Sequence, residues 1–270
     1  MLKNFLQKMW AELAWLAVEV GTACVQELLE FIFPAFCLHC KAEGAFVCAR
    51  CIESIVLQKQ QCCPICSAKN RRGEVCEHCQ TPDFYLDGLM TASAFEKNSV
   101  LQHAIHELKY NFIEDLATPL ADILLKMLLQ VVVELSSAPE KILLCPIPLH
   151  KKRLRFRGFN QAELLAKQLI ELHNRSPTLS LEFVDLLDRI HFVKPQMGLS
   201  REKRIANAMD AFSLKQNLQE NMQQSPDFRA GTIILIDDVA TTLSTLNNCA
   251  KALKMAGVKQ IYGLVLARVF

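Results

Sequence analysis

The stretch TIILIDDVATTLSTLNNCAKALKMAGVKQIYGLVLA, residues 232–267, decides the fold. TIILI (232–236) is an unbroken run of strand formers with no polar face, which reads as a buried strand. Helical spacing runs from Ser244 to Met255, Gly257 supplies the C-terminal cap, and IYGLVLA (261–267) reads as another buried strand. Working back, KILLCPIP (141–148) is a further apolar run closed by two prolines, with helices expected over 98–110, 114–136 and 160–173. FVDLL (183–187) leads into a polar, basic stretch without clear period to about 212, and residues 215–230 read as a solvated loop. Continuous apolar strands separated by helices predict an α/β fold over 83–270, a mostly parallel sheet with helices on both faces.

Two features of this frame carry chemistry. The strand at 232–236 delivers Asp237 and Asp238 at its carboxyl end, the edge where open α/β sheets bind ligands. Thr241, Thr242, Ser244 and Thr245 follow at a helix N-terminus, where hydroxyls and unpaired N–H groups favour a phosphate. Acids beside an anion cradle suit a sugar phosphate; the plainer reading is that Asp and Thr cap a helix. The other feature follows the strand at 141–148. Lys151, Lys152, Arg153, Arg155 and Arg157 put five cations on an expected loop with Phe156 and Phe159 interleaved, ahead of a helix at Asn160 and Gln161. Such a loop can take pyrophosphate oxygens or a nucleic-acid backbone, with rings free to stack on bases.

The N-terminal third is held differently. Of 12 cysteines, nine lie from Cys37 to Cys79, and eight of these form the C-x-x-C pairs Cys37/Cys40, Cys48/Cys51, Cys63/Cys66 and Cys76/Cys79. Two such pairs supply the tetrahedral four-thiolate shell that zinc prefers, so two structural zinc ions are expected, with sequential or crossed pairing both open. Thioredoxin-like chemistry needs one such pair opening a helix, not four in series. Iron–sulfur ligation is a minor alternative, and haem attachment needs a His after the pair, which none has. His39 and His78 read as bystanders, Cys62 as a spare, and Cys24, Cys145 and Cys249 as small core residues. The cysteine module is assigned to 35–82.

Composition bounds the rest. The 270 residues make about two domains. A net charge of +2 gives no global field demanding an acidic partner, and 51% hydrophobic with 21% charged residues excludes wholesale disorder. Residues 1–34 place Leu2, Leu6, Met9, Leu13, Leu16 and Val20 on one helical face stopped by Pro34, a packing helix. No membrane span and no signal peptide is expected, and dense reduced cysteines fit a cytoplasmic protein. His103 and His106 form H-x-x-H with no further ligand nearby in sequence.

The 233–246 stretch resembles the phosphoribosyl pyrophosphate signature of type I phosphoribosyltransferases, an apolar strand, two acids, then V-x-T-T-G-x-T. That resemblance implies that Asp237 and Asp238 hold ribose hydroxyls while Thr241, Thr242, Ser244 and Thr245 surround the 5-phosphate. Leu243 stands where the pattern has glycine, which implies weakened or reshaped phosphate binding. P-x-P-L-H (146–150) with R-x-R-G-F-N-Q-A (155–162) resembles the ComF family, competence-associated proteins with a double zinc ribbon before a phosphoribosyltransferase-like domain. LKY (108–110) and PQ-x-x-L-S-R-E-K-R-x-x-N (195–207) add to it. The resemblance implies that 151–157 takes the pyrophosphate-loop position, and that 189–212 forms a flexible hood carrying Gln196, Arg201, Lys203, Arg204 and Asn207. It further implies handling of single-stranded DNA in natural transformation beside a helicase, with phosphoribosyl pyrophosphate and magnesium at the acidic edge. An active phosphoribosyltransferase with an unknown acceptor is the alternative. Lys109 belongs to the LKY motif without a physical role evident from sequence; a surface lysine is the plainer reading.

Overall fold

The structure, a computed structural model, describes residues 34–133, 141–190, 211–215 and 231–269. The expected N-terminal helix, the solvated loop beyond Lys215, and the hood residues Gln196, Arg201, Lys203, Arg204 and Asn207 lie outside the described residues. The chain divides into two compact units, Met1–Ile52 and Glu53–Phe270.

In the first unit, the described residues 34–52 include the Cys37/Cys40 turn and the start of the short helix α1 (Ala49–Glu53). The second opens with the two-stranded ribbon β1 (Gln61–Cys62) and β2 (Lys69–Asn70), antiparallel to one another. β3 (Gly88–Ala94) then leads to α2 (Val100–Tyr110), a 3-10 turn at Glu114–Leu116, and α3 (Ala117–Val133). β4 (Ile142–Pro146), α4 (Lys151–Arg157), α5 (Gln161–Asn174) and β5 (Leu181–Phe183) follow. The chain continues through β6 (Leu187–Arg189), β7 (Phe212–Leu214), β8 (Thr232–Ala240), α6 (Ser244–Met255) and β9 (Gln260–Arg268).

Five of these strands form one sheet in the order β3-β9-β8-β4-β5, every neighbouring pair parallel. This is the expected parallel α/β sheet. Alternation along the strands sends Leu143, Cys145, Ile233, Leu235, Ile261 and Val265 into a cluster with Leu246, Cys249 and Leu253 of α6. Ile142, Leu144, Ile234, Ile236, Leu264 and Leu266, all at most 2% exposed, point the other way, toward the side packed by α3 and α5. Burial on both faces is why these strands read as unbroken apolar runs.

FVDLL does not form one strand. Leu181–Phe183 extends the sheet, the chain breaks, and Leu187–Arg189 pairs antiparallel with Phe212–Leu214. This separate ribbon is reinforced by Ile190 donating to Ala211 O at 2.9 Å.

The basic run expected as a loop is instead the helix α4. Lys, Arg and Leu are good helix formers. His150 Nδ1 accepts from the Lys152 N–H at 3.1 Å, and Gly158 at φ 89 closes the last turn by donating to Leu154 O. Burial, then the charges of Arg189 and the neighbouring cations, lower the His150 pKa, consistent with a neutral ring whose Nδ1 accepts.

Candidate functional site

Parallel pairing brings the carboxyl ends of β4 and β8 together. Pro146 stands opposite Ile236, and Ile147 donates to Ile236 O at 3.0 Å before the chain turns into α4. β8 runs four residues past that point, so Asp237 and Asp238 stand beyond the end of β4, at the side from which the cationic helix rises. The acidic edge and the basic segment therefore share one end of the sheet.

The two acids differ. Asp238 is 2% exposed, and its Oδ1 accepts from Lys109 Nζ at 2.7 Å. Its Oδ2 is buried and has no hydrogen-bond partner among the described residues. Asp237 is partly exposed and accepts from the Asp238 N–H at 2.9 Å. Desolvation first, then the adjacent Asp238, push the Asp237 carboxyl up to about 7, while Lys109, that N–H and Arg189 pull it back. Lys109 is the residue that sequence reading left without a role. It sits at the end of α2 and brings a cation to the acid pair, a long-range pairing with no local signature.

Arg157 lies within electrostatic reach of both acids; burial lowers its pKa, and Asp238 opposes that effect more than Asp237 does. Gln161 Oε1 accepts from Arg157 Nη1 and so holds it. Asn160 Oδ1 caps α5 through the Ala162 N–H at 3.1 Å, and its Nδ2 donates to Ile147 O at 3.0 Å. Asn160 and Gln161 thus brace the cationic helix from below. Lys151, Lys152, Arg153 and Arg155 are exposed. Phe159 is partly buried, whereas Phe156 is 76% exposed.

In the hydroxyl loop Thr241 and Thr242 are exposed, Ser244 and Thr245 partly so, and Thr242 Oγ1 lies 2.5 Å from Ser244 Oγ. Leu243 takes the left-handed conformation, φ 62 and ψ −7, at the N-cap of α6. A leucine there costs about 1–2 kcal/mol of backbone strain. Burial offsets it, since the side chain is only 8% exposed and packs into the cluster beneath α6. The loop thus keeps the backbone that glycine would adopt freely, with a side chain anchoring it from below.

The cysteines form two groups, Cys37/Cys40/Cys48/Cys51 and Cys63/Cys66/Cys76/Cys79, the ligand atoms of each lying within 4.8 Å of one another. The pairing is sequential. Cys40 and Cys48 sulfurs are 3.5 Å apart and Cys66 and Cys76 sulfurs 3.6 Å, near the ~3.8 Å edge of a tetrahedron with metal–sulfur bonds of about 2.3 Å. Each group can hold one metal ion.

The two knuckles are built alike. Lys41 and Ser67, after the second cysteine of each, sit at φ 63 and 61 and donate to Cys37 O and Cys63 O. Burial raises the Cys37 and Cys63 pKa values, but N–H donors from Cys48, Cys40 and His39 hold the first at about 6, and those from Cys66, Cys76 and Ile65 hold the second at about 6. Among the described residues no histidine joins either group. Cys145 and Cys249 are fully buried core residues, and burial pushes the Cys145 thiol up to about 12.

Fold and site together define a parallel-sheet α/β protein with a paired-acid strand edge, a cationic helix beside it and two tetra-cysteine groups ahead. No protein-family profile matches the chain. It is 38% identical over 130 residues to competence protein F of Haemophilus influenzae, covering 48% of this chain and 51% of that protein, about half its length. It is 26% identical over 221 residues to competence protein ComFC of Bacillus subtilis, covering 78% of the chain and 79% of that protein. With the DNA utilization protein YhgH of Escherichia coli it shares 26% identity over 242 residues, 87% of the chain and 97% of that protein. The chain is thus similar to proteins named for competence and for DNA utilization.

Proposed function

We propose that this chain grips single-stranded DNA during natural transformation, in the cytoplasm and beside a helicase, and keeps a sugar-phosphate site of the phosphoribosyl pyrophosphate class. The observation that carries this reading is the exposed cationic helix Lys151–Arg157, rising at the sheet end where the acid pair stands. The names of the relatives, competence proteins and a DNA utilization protein, point the same way. Among the described residues no helix is long and apolar enough to cross a membrane.

In this reading Asp237 and Asp238 accept from sugar hydroxyls, and Thr241, Thr242, Ser244 and Thr245 take the phosphate. The α4 cations take pyrophosphate or the strand backbone, and Gln196, Arg201 and Arg204 close over the ligand. Magnesium, when bound with phosphoribosyl pyrophosphate, would neutralise phosphate charge. The tetra-cysteine groups hold two structural zinc ions, whose closed thiolate shells leave no position for catalysis.

Labelled single-stranded DNA is expected to bind at low salt and to weaken linearly in log–log form as salt rises. Changing Lys151, Lys152, Arg153 and Arg155 together to Gln should flatten that slope by up to about 3, at ~0.7 per lost phosphate contact. Absence of binding by the parent at low salt overturns the DNA reading.

Transfer of ribose 5-phosphate to an acceptor is the second reading, favoured by the retained acid pair and hydroxyl loop. Leu243→Gly probes the sugar-phosphate site. Loss of a buried leucine costs about 2–5 kcal/mol, partly offset by relief of about 1–2 kcal/mol of strain, so the variant should melt several degrees lower. It should nevertheless bind phosphoribosyl pyrophosphate with magnesium more tightly by calorimetry, because a loop relieved of the left-handed strain and of its buried anchor can adjust its N–H groups to the phosphate. Unchanged or weaker binding contradicts this account of Leu243.

A further inference from the structure

The cationic helix does not stand alone. α4 has no buried residue along its length, yet it carries Phe156 at 76% and Leu154 at 39% exposure among its charges. An exposed phenylalanine on a helix of Lys and Arg gains nothing from folding.

Across from α4, the end of α2 presents Tyr110, 56% exposed. Its ring lies 4.8 Å from that of His106, and the Arg157 guanidinium lies 5.9 Å from its centroid. One residue past the helix cap Asn111, Phe112 takes φ 60, and its ring meets Phe156 edge-on at 6.0 Å. Two segments remote in sequence, 106–112 and 154–157, thus contribute rings to one surface. Arg157 joins that surface to the acid pair, since it faces Tyr110 while the charges of Asp238 and Asp237 act on it.

The geometry points to a base-stacking platform made of Tyr110, Phe112 and Phe156, with Arg157 between it and the acid pair, on which bases of single-stranded DNA stack while the α4 cations hold the phosphates. The occupant follows from chemistry. Exposed rings alone fit any apolar partner, but rings interleaved with Lys151, Lys152, Arg153 and Arg155 fit a chain that alternates flat apolar faces with negative charge. A duplex hides its base faces, so the platform selects single strands. This inference rests on the DNA reading above and adds to it where the bases sit and which side chains carry them.

The test compares a labelled oligothymidylate with an abasic oligonucleotide of equal length, which keeps the phosphates and lacks the bases. The parent is expected to bind the thymidylate at least tenfold more tightly. Tyr110→Ala and Phe156→Ala should each weaken thymidylate binding roughly 5- to 150-fold, the range for losing one aromatic–base stack. Abasic binding and the salt slope should not change. Tyr110→Phe and Phe156→Trp should keep the discrimination, and both positions are exposed enough that circular dichroism should be unaltered. Equal parental affinity for the two oligonucleotides, or alanine variants that bind thymidylate like the parent, overturns the platform and leaves phosphate gripping intact. If neither oligonucleotide binds at low salt, the DNA reading and the platform fall together.

Discussion

Removing the metal ligands of the second tetra-cysteine group, as Cys63→Ser/Cys66→Ser, is expected to unfold or aggregate the α/β unit, whereas Cys37→Ser/Cys40→Ser is expected to leave its melting transition in place. The asymmetry comes from what the second group is attached to. β3 is an edge strand, and segments flanking this cysteine ribbon run along it. Gln61, 1% exposed, accepts from the Thr91 N–H at 2.8 Å and donates to Thr91 O at 3.2 Å, so its amide imitates a strand partner. Gln58 donates to Ala92 O, Ser93 Oγ donates to Val56 O, and Leu89 donates to Gly73 O. Gly73 is required there, since a Cβ would stand 2.0 Å from Leu89 O. Arg268 of β9 reaches back to Pro64 O at 2.5 Å. The ribbon is the cover of a sheet edge that would otherwise be open to pairing with another chain.

A short ribbon with two-residue strands has little core of its own. A structural zinc contributes apparent free energies of about 10–16 kcal/mol in small domains, as large as the ~5–15 kcal/mol net stability of a whole protein. Loss of the second ion should therefore exceed what the sheet can absorb, while the first group belongs to a separate compact unit. Metal content and thermal unfolding of the full chain check this: each double variant should lose one ion, and only the Cys63/Cys66 variant its main transition. A Cys63/Cys66 variant melting like the parent would sink the edge-cover account.

How much of this the sequence disclosed depended on whether the cause was local. β8, β9 and the helix Ser244–Met255 were legible because burial on both faces writes itself as an unbroken apolar run, and a helix with one buried face writes itself as period 3.6. The cysteine groups were legible because a knuckle is a four-residue motif. β3 was not: GLMTASA is rich in Gly, Ala and Ser, residues depleted in strands, and its pairing is imposed by β9 and the ribbon. α4 reads as a loop from sequence because charge hides its period, although Gly158 marks its end. The acid pair was visible, its environment was not, since Lys109 reaches it from a helix far away in the chain.

Lys109→Met should therefore be the costliest single change at the candidate site, with a pH signature that a surface lysine would lack. Removing one partner of a buried ion pair leaves the other charge uncompensated and costs about 3–5 kcal/mol. Asp238 would then hold a carboxylate at 2% exposure, with one oxygen already unpartnered among the described residues, beside Asp237. Asp237 in the parent sits at about 7, above the ordinary carboxylate range, chiefly through burial. A group whose folded pKa lies above its unfolded value binds more protons when folded, so that part of stability is present at low pH and lost as pH rises toward the folded value. The parent should show this loss between about pH 4 and 7 from Asp237. Lys109→Met should show it more steeply, because Lys109 then no longer pulls the Asp237 carboxyl back down. Melting temperatures at pH 5 and pH 8 read the difference directly: the gap between variant and parent should widen at pH 8. Lys109→Met/Asp238→Asn should close most of that gap by removing the stranded charge, yet should not regain phosphoribosyl pyrophosphate binding. A gap independent of pH, or one the second substitution fails to close, would return Lys109 to the status of a packing residue at the end of α2.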